Sequence, residues 1–234
     1  MSEVFALNIN EEVEEKIYAD LFHVLSDERK VKTNKYYFEI DAKRSICAEV
    51  LVKYIVCQKL NISYSDTDIL FMYNPYGKPY FDSITGYYFN ISHAGNWVVC
   101  AWSEKEIGVD VEMVKDIDIA IAKHYFSESE YIELMSKEAE DRKKLLIDFW
   151  TLKESYIKYK GKGLFIPLNS ISFHFEDGKV HYDCENENNV MFHMLDLNSE
   201  HKLSVCSLDP ILESIRYVSL KEIWRTLCLD RVLD

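Results

Sequence analysis

Three strand patterns crowd into residues 87–112: YYFNIS (87–92), NWVVCAWS (96–103) and EIGVDVE (106–112). Parallel neighbours need crossovers of about a dozen residues or more, and the gaps here are far shorter. These strands therefore belong to antiparallel structure. The last two, joined by Ser103-Glu104-Lys105-Glu106, read as a hairpin.

Helical periodicity flanks this run on both sides. VFALNI (4–9) reads as a strand, and 11–25 as an amphipathic helix with Val13, Ile17 and Leu21 at helical spacing. A second helix, capped by Asp41, runs to about Leu60 through Ile46, Val50 and Ile55. NPYGKPY (74–80) is turn chemistry. Helical patterns resume at 117–125 and 128–138, where Ser127 and Glu130 form a capping box, and a long helix spans about 141–160. Strands then return at 171–175, 179–183, 191–195 and 202–208, and a short helix follows. Helix then antiparallel strands, twice over, gives an α+β class with two similar halves, 1–112 and 113–234, each built on a long helix. The last residues are free to pack back on the first half.

Composition removes several classes of function. With 48% hydrophobic residues over 234 positions the chain can bury a sizeable core. No apolar run is long enough to span a bilayer, and an acidic N-terminal stretch stands where a secretory signal would be basic and apolar, so a cytoplasmic protein is the expectation. The six cysteines make no C-x-x-C pair and are neither a zinc site nor a disulfide framework. A net charge of −13 argues against nucleic acid. The cations nevertheless cluster, at Arg29, Lys30, Lys32, Lys35, Lys43 and Arg44, and again at Lys153, Lys158, Lys160 and Lys162. Local cationic patches on an acidic chain suit a small polyanion, and each lysine alone is equally a solvated helix face.

Three segments carry candidate chemistry. In Ile107-Gly108-Val109-Asp110-Val111-Glu112, strand alternation sends the valines to one face and the two carboxylates to the other. Adjacent carboxylates repel unless a cation or protons intervene, and a hard divalent ion is the natural partner. The pair alone is equally the pattern of an exposed polar face. In the long helix, Leu145, Phe149, Leu152, Tyr156 and Tyr159 form a buried stripe, while Trp150, Glu154 and Lys158 lie one turn apart on another face. By itself that trio is also an i,i+4 salt bridge under a tryptophan. Gly161 or Gly163 caps the helix. The third segment, Asn90-Ile91-Ser92-His93-Ala94-Gly95, places polar side chains at a break between strands.

Together GKPY, FNISHAGNWVVCAW, IGVDVE and FWTLKESYIKYKGKGL resemble the Sfp-type 4′-phosphopantetheinyl transferases, in order and at similar spacing. The resemblance is dense from Tyr76 to Leu168 and thins toward the C-terminus. It implies a pseudo-twofold monomer that takes coenzyme A between its halves and moves the 4′-phosphopantetheine group to a serine of an apo acyl or peptidyl carrier protein. It implies magnesium on Asp110, Glu112 and Glu154, with Glu154 also a general base and Lys158 serving the departing 3′,5′-ADP. Ser92, His93, Lys78, Pro79, Arg44, Lys153 and Lys158 are the implied coenzyme A contacts. Glu130 falls in a family-like F-S-E-S-E-Y segment, but its capping-box role explains it without catalysis. An acidic carrier would be repelled at long range, so a local basic or apolar docking patch is expected near 115–135, with Lys115 and Lys123 as candidates.

Overall fold

The structure, a computed structural model, describes residues 1–66, 69–116, 118–184 and 189–229. The first half opens with strand β1 (Ser2–Asn8), then helices α1 (Glu15–His23), α2 (Asp27–Thr33) and α3 (Glu39–Leu60). A two-stranded ribbon of β2 (Phe71–Tyr73) and β3 (Pro79–Phe81) leads to β4 (Tyr88–Ala94), β5 (Trp97–Ser103) and β6 (Ile107–Met113). Helices α4 (Ala120–Tyr125), α5 (Glu128–Met135) and α6 (Ala139–Lys160) follow. The chain continues through β7 (Ser172–Glu176), β8 (Lys179–Asp183), β9 (Met191–Asn198), β10 (His201–Ser207), β11 (Ile211–Val218) and α7 (Leu220–Cys228).

Two sheets organise these elements. One has the order β11-β1-β5-β4 and the other β6-β10-β9. All neighbouring pairs are antiparallel except β1 with β11, which run parallel. Alternation along each strand sorts the core into three parts. On β1, Val4 and Ala6 face the second sheet, while Phe5 and Leu7 face the first half's helices. On β6, Val109 and Val111 join the apolar layer between the sheets, together with Val99, Ala101, Leu203 and Val205. The outer face of the first sheet is covered by α1, α3 and α7, and that of the second by α6. The expected α+β class is what the chain adopts, with a 22-residue helix on each sheet.

Several local expectations need correction. The segment read as a hairpin of β5 and β6 is a switch between sheets: β5 pairs with β1 and β4, whereas β6 pairs with β10. A short link is compatible with either, and β5, buried along its whole length beyond Trp97, is saturated on both edges before β6 begins. The long first-half helix starts at Glu39 after Phe38, leaving Asp41 within the first turn rather than capping it. The helix expected from 117 begins only at Ala120, after the non-helical Asp118 and Ile119, and residue 117 lies outside the described residues. Helix α2, whose N-terminus is capped by Ser26, and strand β11 are elements the sequence did not announce. The Ser127–Glu130 capping box and the Gly161 cap, at φ 64°, are present as read. Among the described residues no disulfide joins any of the six cysteines, and Cys100 and Cys206 are buried in β5 and β10.

Candidate active site

The site begins with a glycine. Gly108 on β6 faces the C-terminal turns of α6, where a Cβ would overlap the carbonyl oxygen of Ser155 and the backbone nitrogen of Tyr159. Strand and helix therefore meet backbone to backbone, which only a residue without a side chain permits. One pleat further along, Asp110 points the same way and meets Lys158, whose Nζ donates to its Oδ1 at 2.6 Å. Lys158 also donates to Ser92 Oγ at 2.9 Å, and Ser92 donates to Asp110 Oδ1 at 2.9 Å.

Asn90 and Ser92 join the two sheets. β6 is the edge of its own sheet and β4 the edge of the other. The Val109 amide donates to Asn90 Oδ1 at 2.9 Å, and the Val111 amide donates to Ser92 Oγ at 3.3 Å. Side chains of β4 thus satisfy amides that a β6 partner strand would otherwise take. Ser92 and His93 sit within β4, which runs to Ala94 before turning at Gly95, so they are not on a strand-to-loop break.

Three carboxylates share this corner. Asp110 is 3% exposed, and burial raises its pKa against the opposing pull of Lys158 and Ser92. Its Oδ2 is buried without a hydrogen-bond partner. Glu112 is raised by burial and then by the charge of Asp110, with the Trp150 indole hydrogen-bonded to it. Glu154, one helical turn before Lys158, is pushed up to about 7, chiefly by burial and then by Asp110, with Glu112 adding to the effect. Glu112 and Glu154 both feel the charge of Asp110, and Glu154 also that of Glu112, which places a strand pair and a helix residue around one small volume.

A cationic side adjoins this acidic corner. His93 has its pKa lowered by burial and by the nearby charges of Arg44 and Lys158. Arg44 is anchored: its Nε and one terminal nitrogen donate to the Gly95 carbonyl at 3.0 and 2.6 Å, and the other pairs with Asp41 at 2.9 Å. Hard oxygen donors beside fixed cations suit a divalent ion carrying a phosphorylated ligand.

Comparison with known proteins shows which family carries this corner. Residues 106–206 match the model of the 4′-phosphopantetheinyl transferase superfamily, and residues 12–105 match the model described as 4′-phosphopantetheinyl transferase, N-terminal. The 4′-phosphopantetheinyl transferase Sfp of Bacillus subtilis (strain 168) is 34% identical over 202 residues, covering 85% of this chain and 89% of that one. The transferase gsp of Aneurinibacillus migulanus is 37% identical over 209 residues, covering 89% and 86%. The chain belongs to the 4′-phosphopantetheinyl transferase superfamily.

Within this superfamily member the expected site residues fall into three groups. Asp110, Glu112, Glu154, Lys158, Ser92, His93 and Arg44 converge as described above. Pro79 lines a cavity of about 360 Å³ with Asn74, Tyr80, Phe81, Tyr88 and Phe89. Lys78 lines it too, but its ammonium is engaged by Glu106 Oε2 at 2.7 Å and by the carbonyls of Ile107 and Tyr159. Asn74 Nδ2 donates to the Gly161 carbonyl at 2.6 Å, so this turn clamps the end of α6.

Lys153 is the correction. Its side chain is fully buried, paired with Glu130 at 2.8 Å and donating to the carbonyls of Leu168 and Ile171. An ammonium has three donors, and all three are taken inside the second half, so none remains for a phosphate. Glu130 in turn accepts from the Ser127 and Phe173 amides. It is a capping-box residue, as read, and also the anchor of a buried ion pair. Sequence reasoning missed this pair, the backbone contact at Gly108 and the joining role of Asn90. The glycine two residues before Asp110, on the same face of the strand, was the available signal for the second.

Proposed function

We propose that Asp110, Glu112 and Glu154 hold a magnesium ion, and that the chain transfers the 4′-phosphopantetheine arm of coenzyme A to a serine of an apo acyl or peptidyl carrier protein. The observation that carries this reading is Asp110 Oδ2, a buried carboxylate oxygen without a protein partner beside two further carboxylates. Such an atom is costly unless a cation completes it. Bound magnesium supplies charge neutralisation on the diphosphate of the substrate.

The remaining steps belong to this chain's side chains. Arg44, His93 and Ser92 line the approach of the anionic substrate, and the cavity bordered by Pro79 and the stem of Lys78 takes its nucleotide end. Glu154, held near pKa 7, is matched to accept the acceptor serine's proton, directly or through a water. The serine oxygen forms its bond to the β-phosphorus as the bond to the bridging oxygen breaks. Lys158 then faces the departing 3′,5′-ADP, whose new charge it offsets.

The chain acts as a monomer of two halves that part at the 104–106 link rather than after residue 112, with β11 and α7 returning to the first, and its carrier docks by residues 115–135 of the second half. Tyr125, Ile132 and Met135 are exposed there, on α4 and α5, with Lys123 alongside. Among the described residues no helix is long and apolar enough to cross a membrane.

The test mixes the protein with magnesium, coenzyme A and a panel of apo carriers, and reads intact carrier mass. Addition of one phosphopantetheine arm, absent with chelator and absent with Glu154→Gln, is the expected result. A folded protein that modifies no carrier in the panel contradicts the proposal.

A further inference from the structure

The β7–β8 hairpin carries a second group of ligating side chains, outside the acidic corner. Among the described residues, His174, Glu176 and His181 each offer a donor atom, and these atoms all lie within 4.8 Å of one another. The placement follows from register. His174 and His181 are directly opposed across the antiparallel ladder, and Glu176, two residues beyond His174, returns to the same face. The two rings lie nearly parallel, with centroids 5.2 Å apart and an interplanar angle of 17°.

The hairpin holds this geometry firmly. Asp177 and Gly178 both have positive φ, 49° and 72°, and form a two-residue connection whose twist matches the strands. On the opposite face Phe173 is buried, and its amide donates to Glu130 Oε1 at 2.9 Å. The backbone under the three ligands is thus fixed to the second half's core while the ligands face solvent.

The donor set selects the ion. Imidazole with one carboxylate suits zinc, copper and nickel, whereas magnesium prefers the all-oxygen corner at Asp110. Zinc–nitrogen bonds of roughly 2.0–2.1 Å set the spacing of the donor atoms about the ion, and rotation of these surface side chains adjusts their positions to it. Three protein ligands leave a fourth position for water. We propose that His174, Glu176 and His181 form a surface site for a divalent ion of the zinc class, which clips β7 to β8.

Zinc chloride titrated into the full chain by calorimetry, in excess magnesium to occupy the acidic corner, tests this. Wild type is expected to bind one more zinc ion than His174→Ala or His181→Ala. Glu176→Gln should weaken that same ion by at least roughly tenfold, the loss typical when even an outer partner of a metal site is removed. Zinc should also shift the His174 and His181 ring resonances of the wild type before those of the other histidines, a readout that needs no variant. Magnesium-supported carrier modification should be unchanged in all three variants. Equal zinc stoichiometry and affinity in wild type and both histidine variants would overturn the proposal, as would ring resonances that do not respond.

Discussion

At the residue scale, Glu154 concentrates the tension of the site. Its pKa rises from an ordinary carboxylate value to about 7 because burial and two neighbouring carboxylates oppose its ionisation. The folded chain without metal therefore holds this proton more tightly than the unfolded chain. Between about pH 4.5 and pH 7 the native state binds more protons at this residue, so its contribution to stability falls as pH rises through that window. Glu154→Gln removes the cost. In the presence of chelator, the variant should be more stable than wild type at pH 8 by roughly 1–2 kcal/mol, the shift being discounted for partial solvent access. The two should converge near pH 4.5, and magnesium should raise the melting temperature of wild type more than that of the variant. The same substitution should lower transfer by roughly a hundredfold or more. Urea melts of wild type and variant at several pH values without metal check the first claim; a stability difference between them that does not grow from pH 5 to pH 8 contradicts it.

At the scale of elements, the contact between β6 and α6 sets the site. Glu154 and Lys158 reach Asp110 because the helix backbone lies directly on Gly108. Gly108→Ala introduces a methyl group where two backbone atoms already stand, and neither is the mobile end of a side chain. Helix and strand must separate, at a cost of about 3 kcal/mol or more. Transfer should fall even in whatever fraction folds, since the lysine and glutamate retreat together. Denaturation midpoints and kcat measured on soluble protein check this; a variant with wild-type stability would show that the approach is looser than drawn. The acidic pair, the Trp150-Glu154-Lys158 face and the capping box were legible because each is fixed by a local period of two or of 3.6. What was not legible depends on partners distant in sequence. Nothing near Lys153 announces that Glu130 and the carbonyls of Leu168 and Ile171 will enclose it. Nothing in the link 104–106 says that β6 leaves its neighbour's sheet, because both edges of β5 are already claimed by β1 and β4, which precede it in the chain.

At the scale of the molecule, the chain returns to its start. The final strand, β11, pairs parallel with β1, and α7 lies over the first half's core with Leu220, Ile223 and Leu227 buried. A Ser219–Glu222 capping box starts that helix, the Trp224 indole donates to Asp20 at 2.8 Å, and the Leu220 amide donates to Glu11. The acidic corner lies on β6 and α6, yet Ser92 and Asn90 reach it from a sheet that ends in β11. Ending the chain at Asp209 would strip one edge of β1 and remove Val218, Leu220, Ile223 and Leu227 from the core. Each buried aliphatic side chain contributes about 1.5–3 kcal/mol, so the loss is comparable to the whole stability of an ordinary domain, roughly 5–15 kcal/mol. The exposed edge of β1 also offers a template for association between chains. The truncated chain should therefore be insoluble, or soluble without a cooperative melt or a near-ultraviolet dichroism signal, and should modify no carrier. A truncated chain that melts cooperatively and still transfers the arm would mean that the first sheet positions Ser92 and Asn90 without its last strand.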